Sequence, residues 1–169
     1  LSINSLREDL RVAHATVSKW VSILERMYYL FRIPPMGAPA IRAVKKEQKA
    51  YCYDWTLVED ENLRFENMTA VHLQKYVYWL QDTEGRNLEL RYFRDKDGRE
   101  VDFVIIEKQV PILIVECKAS SHEVSKSLRY LVAKYPQVPA YQIGYRNTKD
   151  FVNSDGIRVC SAGLLFEKL

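Results

Sequence analysis

The sequence predicts an α/β domain with a mixed sheet flanked by helices, preceded by a small unit of helices and strands. Two stretches, 101–106 and 112–115, carry apolar residues on both faces of a strand, which is typical of central strands covered above and below. A long stretch with helical periodicity precedes them, and a second one follows. Because residues 1–55 differ in pattern from residues 56–169, we expect two units with these bounds.

Composition limits the classes of protein to which the chain can belong. The 169 residues are 47% hydrophobic, enough for one sizeable core, and carry 25 basic and 22 acidic side chains. With a net charge of +3, a nucleic-acid surface must come from local clusters of Lys and Arg. The three cysteines show no metal-ligand spacing, which fits a reducing, cytoplasmic environment. No apolar run is long enough to cross a membrane, and none of the six glycines builds a G-x-x-x-x-G-K loop for ATP. Since the first residue is Leu1 rather than Met, we expect a piece of a longer protein.

Residues 1–55 have the order helix, helix, strand, turn, strand. "SLRED", with Ser5 as cap, opens a short helix, and "ATVSKWVSILERMYYL" predicts a second one that two prolines and a glycine end. Two extended pieces follow around a basic turn that carries Lys45, Lys46 and Lys49. This is the order of a winged helix-turn-helix unit, with Lys19, Arg26, Lys45 and Lys46 as candidates for DNA contact. A helical hairpin that packs on the next unit is the alternative.

Residues 56–169 begin with a long amphipathic helix, "ENLRFENMTAVHLQKYVYWLQD", which ends at "TEG". Three strands follow as a meander, namely "NLELRYFRD", "EVDFVIIE" and "PILIVECKAS". "HEVSKSLRYLVAKY" predicts a second helix, and "AYQIGYR" and "GIRVCSAGLLFEKL" predict further strands. On that second helix Lys126 and Arg129 are candidates for a phosphate-facing strip, and a solvated helix face is the alternative.

Two carboxylates interrupt the apolar strands. A hairpin that turns around Lys108–Val110 places Asp102 opposite or beside Glu116, with Cβ atoms about 5 Å apart, where like charges destabilise a sheet. Lys118 lies two residues after Glu116 and points to the same face. One lysine cannot neutralise two carboxylates, whereas a divalent cation can.

A third carboxylate comes from the helix before the strands. At 100° per residue its apolar stripe contains Glu66, Ala70, Leu73, Val77 and Leu80, and its polar side is marked by Arg64, Asn67, Gln74, Lys75 and Gln81. Glu66 is therefore predicted to point toward whatever the helix packs on. An acid in that place is unusual unless it is paired or binds a metal.

The ordered set Glu66, Asp102, Glu116 and Lys118 resembles the PD-(D/E)XK nuclease signature, an acid followed by acid-x-lysine on the next strand. "GREVDFVI" and "ILIVECKAS" carry the resemblance, with thirteen residues between the two strand acids. "FENMTAVHL" resembles the glutamate-bearing first helix of RecB-like members. The whole chain resembles the C-terminal domain (domain of unknown function 4143) of archaeal and bacterial AAA-type P-loop ATPases, in which a winged helix precedes a restriction-endonuclease-like domain. The proline of the family signature is absent, because "EVD" stands there.

The resemblance implies a restriction-endonuclease-like mixed sheet and hydrolysis of DNA that depends on Mg²⁺ or Mn²⁺. Asp102 and Glu116 would ligate the metal together with the carbonyl of Cys117. Glu66 would join them directly or through water, and Lys118 would orient or deprotonate the attacking water. The implied partners are DNA and an upstream P-loop ATPase domain, with no membrane.

In several relatives a glutamine follows the second helix, and Gln142 in "AYQIGY" is the candidate for it. Fold alone does not establish activity, so two alternatives stand. One is a non-catalytic regulatory module of the ATPase that binds DNA or protein with the same fold. The other is a structural interaction domain in which the acids form an ion-pair network.

Overall fold

The computed structural model describes residues 3–37, 48–119, 123–146 and 149–169. Within them the helices are α1 (Ile3–Leu10), α2 (His14–Arg26), a 3-10 turn (Trp55–Leu57), α3 (Glu61–Glu84), α4 (Lys126–Lys134) and α5 (Ala162–Phe166). The strands are β1 (Leu30–Ile33), β2 (Lys49–Cys52), β3 (Leu88–Arg94), β4 (Glu100–Glu107), β5 (Val110–Cys117), β6 (Ala140–Gly144), β7 (Phe151–Val152) and β8 (Arg158–Ser161). None of the helices in these ranges combines the length and the apolar character that a membrane span requires.

The first elements follow the predicted order of two helices and two strands. β1 and β2 pair antiparallel, with Leu30 opposite Cys52 and Ile33 opposite Lys49. The predicted cap is wrong, because α1 begins at Ile3 and Ser5 lies inside the helix. The winged-helix assignment stays a prediction.

The second part contains a six-stranded sheet in the order β3-β4-β5-β6-β8-β7. β5, β6 and β8 run parallel to one another, and the remaining pairs are antiparallel. The chain passes from β5 to β6 through α4, the kind of crossover that a parallel pair requires. The predicted mixed sheet flanked by helices is thus confirmed at the level of architecture, and its restriction-endonuclease-like character stays a prediction.

The sheet is buried on both faces, as the apolar strands predicted. Phe103 and Val115 belong to the core that includes α3, whereas Val104 and Ile114 belong to the core that includes α4. The first core also takes in Phe31, Ile33 and Tyr51 from β1 and β2. The small strand pair therefore packs directly against the larger sheet and α3, and the unit boundary at residue 55 stays a prediction.

Helix α3 has the predicted start, end and buried stripe. The Asp60 carboxylate accepts hydrogen bonds from the backbone amides of Asn62 and Leu63, both at 2.9 Å, and Gly85 ends the helix with a φ of 65°. The stripe residues Ala70, Leu73, Val77 and Leu80 are all buried. Asn67 was placed on the polar side and is instead buried, because its amide pairs with β2.

Two of the later elements differ from the prediction. The second helix begins only at Lys126, where the Ser125 hydroxyl caps it by accepting from the Leu128 amide at 3.3 Å. The terminal stretch 156–169 is a strand only as far as Ser161, and α5 follows. Ala162 and Leu165, spaced three residues apart, are the buried residues of α5, which explains why this segment coils into a helix.

A β-bulge lies beside the predicted site. Arg91 of β3 pairs with Val104, while Phe93 pairs with Val101, so β4 contains one extra residue over this interval. Val101 therefore departs from the alternation of a regular strand, because it packs with Val104 on the α4 side instead of with Phe103. The bulge falls at Asp102 and Phe103, and irregularities of this kind change the direction of nearby side chains.

Candidate functional site

Asp102 and Glu116 lie side by side on β4 and β5, as the hairpin register predicts. Phe103 pairs with Val115, which brings the preceding Asp102 to the following Glu116. The Asp102 amide donates to Glu116 Oε2 at 3.3 Å, and Asp102 Oδ2 accepts from the Cys117 amide at 3.0 Å. Only 3% of the surface of Glu116 is exposed, so Glu116 is a buried acidic residue.

Glu66 reaches the same place from α3. Its Oε1 accepts a 2.6 Å hydrogen bond from the hydroxyl of Tyr51 on β2, and its side chain is 22% exposed. As expected from the apolar stripe, Glu66 faces the packing partner of the helix and is paired there. A helix, a hairpin and the small strand pair thus contribute to one site.

Lys118 follows β5 and borders the same cluster. Its Nζ lies 2.8 Å from Glu116 Oε1, and 41% of its side chain is exposed. Although burial lowers the pKa of Lys118, the Glu116 carboxylate raises it above its ordinary value. Lys118 therefore presents a protonated ammonium group that solvent can reach.

Lys49 of β2 is the main site residue that the sequence interpretation did not place here. Its Nζ contacts three carboxylate oxygens, namely Glu66 Oε1 at 3.1 Å, Asp102 Oδ1 at 3.1 Å and Glu100 Oε1 at 2.7 Å. The prediction counted Lys49 only as part of a basic turn. A weak signal existed, because Lys49 and Tyr51 alternate on a short strand and so share one face.

We refer to Glu66, Glu100, Asp102 and Glu116 as the acidic cluster. These four carboxylates meet two ammonium groups, a formal excess of negative charge. Burial first, and then Glu116 and Glu66, raises the pKa of Asp102 to about 7, although Lys49 opposes the shift. Burial lowers the pKa of Lys49, but the carboxylates of Asp102, Glu66 and Glu100 outweigh this effect and raise the pKa above its ordinary value. The cluster is thus short of positive charge even with both lysines in place.

A cleft of about 310 Å³ opens beside the cluster. Its lining includes Glu66, Cys117 and Lys118, together with Asn62, Leu63, Phe65 and Ala119. Tyr145 packs on Phe65 with ring centroids 5.1 Å apart, and Arg146 ion-pairs with Glu61 at 2.8 Å. Glu66 and Lys118 can therefore be reached from solvent through a defined opening.

A family model, described as "Domain of unknown function (DUF4143)", matches residues 63–165, which is more than half of the chain. The chain belongs to the DUF4143 family. A second model, "Domain of unknown function (DUF8612)", matches residues 1–60. No curated protein matches, and no solved structure matches. The DUF4143 region contains the whole acidic cluster, whereas Lys49 and Tyr51 come from the DUF8612 region.

The donors of the DUF4143 site suit a hard divalent cation, but they now surround an ammonium group. Carboxylate oxygens are the ligands that Mg²⁺ and Ca²⁺ prefer. The Lys49 contacts of 2.7–3.1 Å are longer than the roughly 2.0–2.1 Å of Mg²⁺–oxygen bonds. Within the described ranges, no three acidic, histidine or cysteine side chains are placed so as to hold a metal together. The charge and donor type fit a cation, and its binding would require these side chains to close in.

Cys117 and Gln142, two further residues predicted for the site, have different environments in the DUF4143 domain. Cys117 touches the site through its backbone amide, and the role of its carbonyl stays a prediction. Gln142 is the register partner of Glu116, but its amide accepts from the Ser125 amide and donates to the Glu123 carbonyl, both at 2.9 Å. Gln142 therefore holds the segment that leads into α4.

The residues predicted for nucleic-acid contact are distributed over two elements. Lys19 and Arg26 lie exposed on α2, and Lys126 begins α4. Arg129 of α4 ion-pairs with Asp155 at 3.3 Å. Lys45 and Lys46 lie outside the described residues. A role of any of these in DNA binding stays a prediction.

Proposed function

We propose that this DUF4143 domain is a metal-dependent phosphodiesterase of the PD-(D/E)XK type that acts on DNA. The observation that carries the proposal is the meeting of Glu66, Asp102, Glu116 and Lys118, from one helix and two paired strands, beside an open cleft that Glu66 and Lys118 line. A simple ion pair explains the contact between Glu116 and Lys118. It does not explain the half-buried Asp102 beside them or a glutamate on the apolar stripe of α3.

Asp102 and Glu116 would hold the cation, with Glu66 beside them. When bound, Mg²⁺ or Mn²⁺ would supply positive charge at the phosphate and lower the pKa of water. Burial and then repulsion from Glu116 and Glu66 raise the pKa of Asp102, and a divalent cation relieves the repulsion because it offsets the excess negative charge of the cluster.

Lys118 would act on the phosphate. Because its ammonium group is paired to Glu116 and reaches the cleft, it suits the binding and stabilisation of a non-bridging phosphate oxygen. Of the two predicted roles, stabilising charge fits this protonated state better than taking a proton from water. Phosphoryl chemistry on an anionic substrate requires positive charge at the reacting centre.

DNA is the proposed substrate class, since Lys19, Arg26, Lys126 and Arg129 supply local positive charge on a nearly neutral chain. An upstream P-loop ATPase domain would control access to the site, in a cytoplasmic protein. This partner is proposed from the family resemblance and not from a contact.

The first experiment titrates Mn²⁺ into the purified chain by calorimetry and incubates labelled single- and double-stranded DNA with Mg²⁺, Mn²⁺ or EDTA. We expect binding and metal-dependent cleavage, both lost in Asp102→Asn, with cleavage alone lost in Lys118→Met. Asp97→Asn, in the exposed β3–β4 turn, is the matched control and should behave like wild type. If neither calorimetric binding of Mn²⁺ nor DNA cleavage is observed at millimolar metal, the proposal is refuted.

The second candidate is a non-catalytic module that binds DNA or protein and reports to the ATPase. One observation favours it, namely that Lys49 already pairs with three carboxylates and ties β2 to the site. Such a module should bind DNA with an affinity that falls steeply with salt, without cleavage in any metal.

A further inference from the structure

Lys49 occupies the position that a divalent cation would need. Its Nζ lies within 3.1 Å of both Glu66 Oε1 and Asp102 Oδ1, two of the oxygens that the proposed function assigns to the metal. An ammonium group and a divalent cation carry like charges, so they repel each other when both contact the same two oxygens. Occupation by one therefore disfavours occupation by the other.

The ammonium group of Lys49 has alternative partners outside the proposed metal ligands. Its shortest contact is the 2.7 Å pair with Glu100 Oε1, and Glu100 is not among the proposed metal ligands. Nζ also lies 5.6 Å from the centroid of the Tyr92 ring, a distance at which a cation is attracted to an aromatic face. Because the lysine stem is flexible, its ammonium group can stay with Glu100 and leave Glu66 and Asp102.

The backbone of β2 need not move for this exchange. Asn67 of α3 grips Cys52 through two hydrogen bonds, at 2.9 and 2.6 Å, and the Tyr51 hydroxyl is fixed on Glu66. Both anchors lie beyond Lys49 along the strand. The backbone of Lys49 therefore has a fixed position beside the cluster, while its side chain can change conformation.

We propose that Lys49, contributed by the DUF8612 region, is a built-in competitor that closes the metal site of the DUF4143 region. The inference rests on the proposed function, because it assumes that the acidic cluster binds a divalent cation. In the closed state the ammonium group of Lys49 is ion-paired with Glu66 and Asp102. In the open state Lys49 stays on Glu100 and the cation takes those oxygens. The apparent dissociation constant is then the intrinsic one divided by the open fraction.

Calorimetric titration of the full chain with Mn²⁺ alone tests this competition. Lys49→Met should tighten Mn²⁺ binding about tenfold, the value for a closed state populated at about 90%. Lys75→Met, which removes an exposed lysine of α3, should leave the dissociation constant within about twofold of wild type. If the circular dichroism of Lys49→Met departs from wild type, Lys49→Gln replaces it, because glutamine is neutral and still donates hydrogen bonds.

The outcomes separate the two proposals. Equal or weaker Mn²⁺ binding by both neutral Lys49 variants, with binding lost in Asp102→Asn, overturns the competition and leaves the metal site standing. If neither wild type nor the Lys49 variants bind Mn²⁺, the proposed function fails, and the inference fails with it.

Discussion

Asp102→Asn should stabilise the metal-free protein at neutral and alkaline pH. Burial and the neighbouring Glu116 and Glu66 raise the pKa of Asp102 from 3.8 to about 7. The difference between these two pKa values corresponds to about 4 kcal/mol of unfavourable ionisation in the folded state. Asparagine cannot ionise, and its side-chain oxygen can still accept from the Cys117 amide that Asp102 now binds.

The sign of the effect follows from the direction of the shift. Well below pH 4 Asp102 is protonated both folded and unfolded, so the substitution changes the free energy of unfolding little. As the pH rises toward 7, the unfolded chain releases this proton first, and wild type loses stability that the variant keeps. We expect the difference to grow from about 0.5 kcal/mol at pH 4 to as much as about 4 kcal/mol at pH 8.

Urea unfolding followed by circular dichroism, in EDTA between pH 4 and pH 8, measures this difference. With an m-value of about 2 kcal/mol/M, the midpoint at pH 8 should rise by up to about 2 M. Asp97→Asn should stay within about 0.5 kcal/mol of wild type at each pH. If the variant is equal to or less stable than wild type at pH 8, the claim that burial and neighbouring carboxylates make ionisation of Asp102 unfavourable would be refuted.

Four further substitutions test side-chain packing and backbone conformation. Asn67→Ala should cost about 1–3 kcal/mol in urea unfolding, because it leaves the partly buried amide and carbonyl of Cys52 without their side-chain partner. Gly85→Ala should cost about 1 kcal/mol in the same assay, since φ is 65° there, whereas Gly163→Ala inside α5 should be neutral or gain up to about 1 kcal/mol. Arg91→Met should leave the melting temperature unchanged or higher, because the buried Nε and Nη1 of Arg91 have no hydrogen-bond partner within the described part of the chain.

For each of these stability predictions, one outcome would contradict the reasoning. A neutral Asn67→Ala would mean that the link between α3 and β2 is not important for stability. Equal effects at Gly85 and Gly163 would contradict the role of the left-handed φ. A melting temperature lowered by several degrees in Arg91→Met would show that the packing of the arginine stem outweighs its unpaired nitrogens.

Local patterns in the sequence determined much of the fold and part of the site. The spacing of Ala70, Leu73, Val77 and Leu80 defines the buried face of α3, and it alone identifies Glu66 as an inward-facing acid. The apolar runs identify the central strands, and the short turn between them fixes which residues of β4 and β5 are neighbours. Such features can be predicted because they depend on helical and strand periodicity over a few residues.

Only the tertiary structure decided the rest. The contact of Lys49 with Asp102 spans 53 residues, and no periodicity relates residues so far apart. Asn67 reads as a surface residue on a helical projection, and its burial depends on where β2 docks. The bulge that turns Val101 to the other face arises from the pairing of β4 with β3. The sequence alone thus indicated Glu66, Asp102 and Glu116, while packing between distant segments added Glu100 and determined which cation faces them.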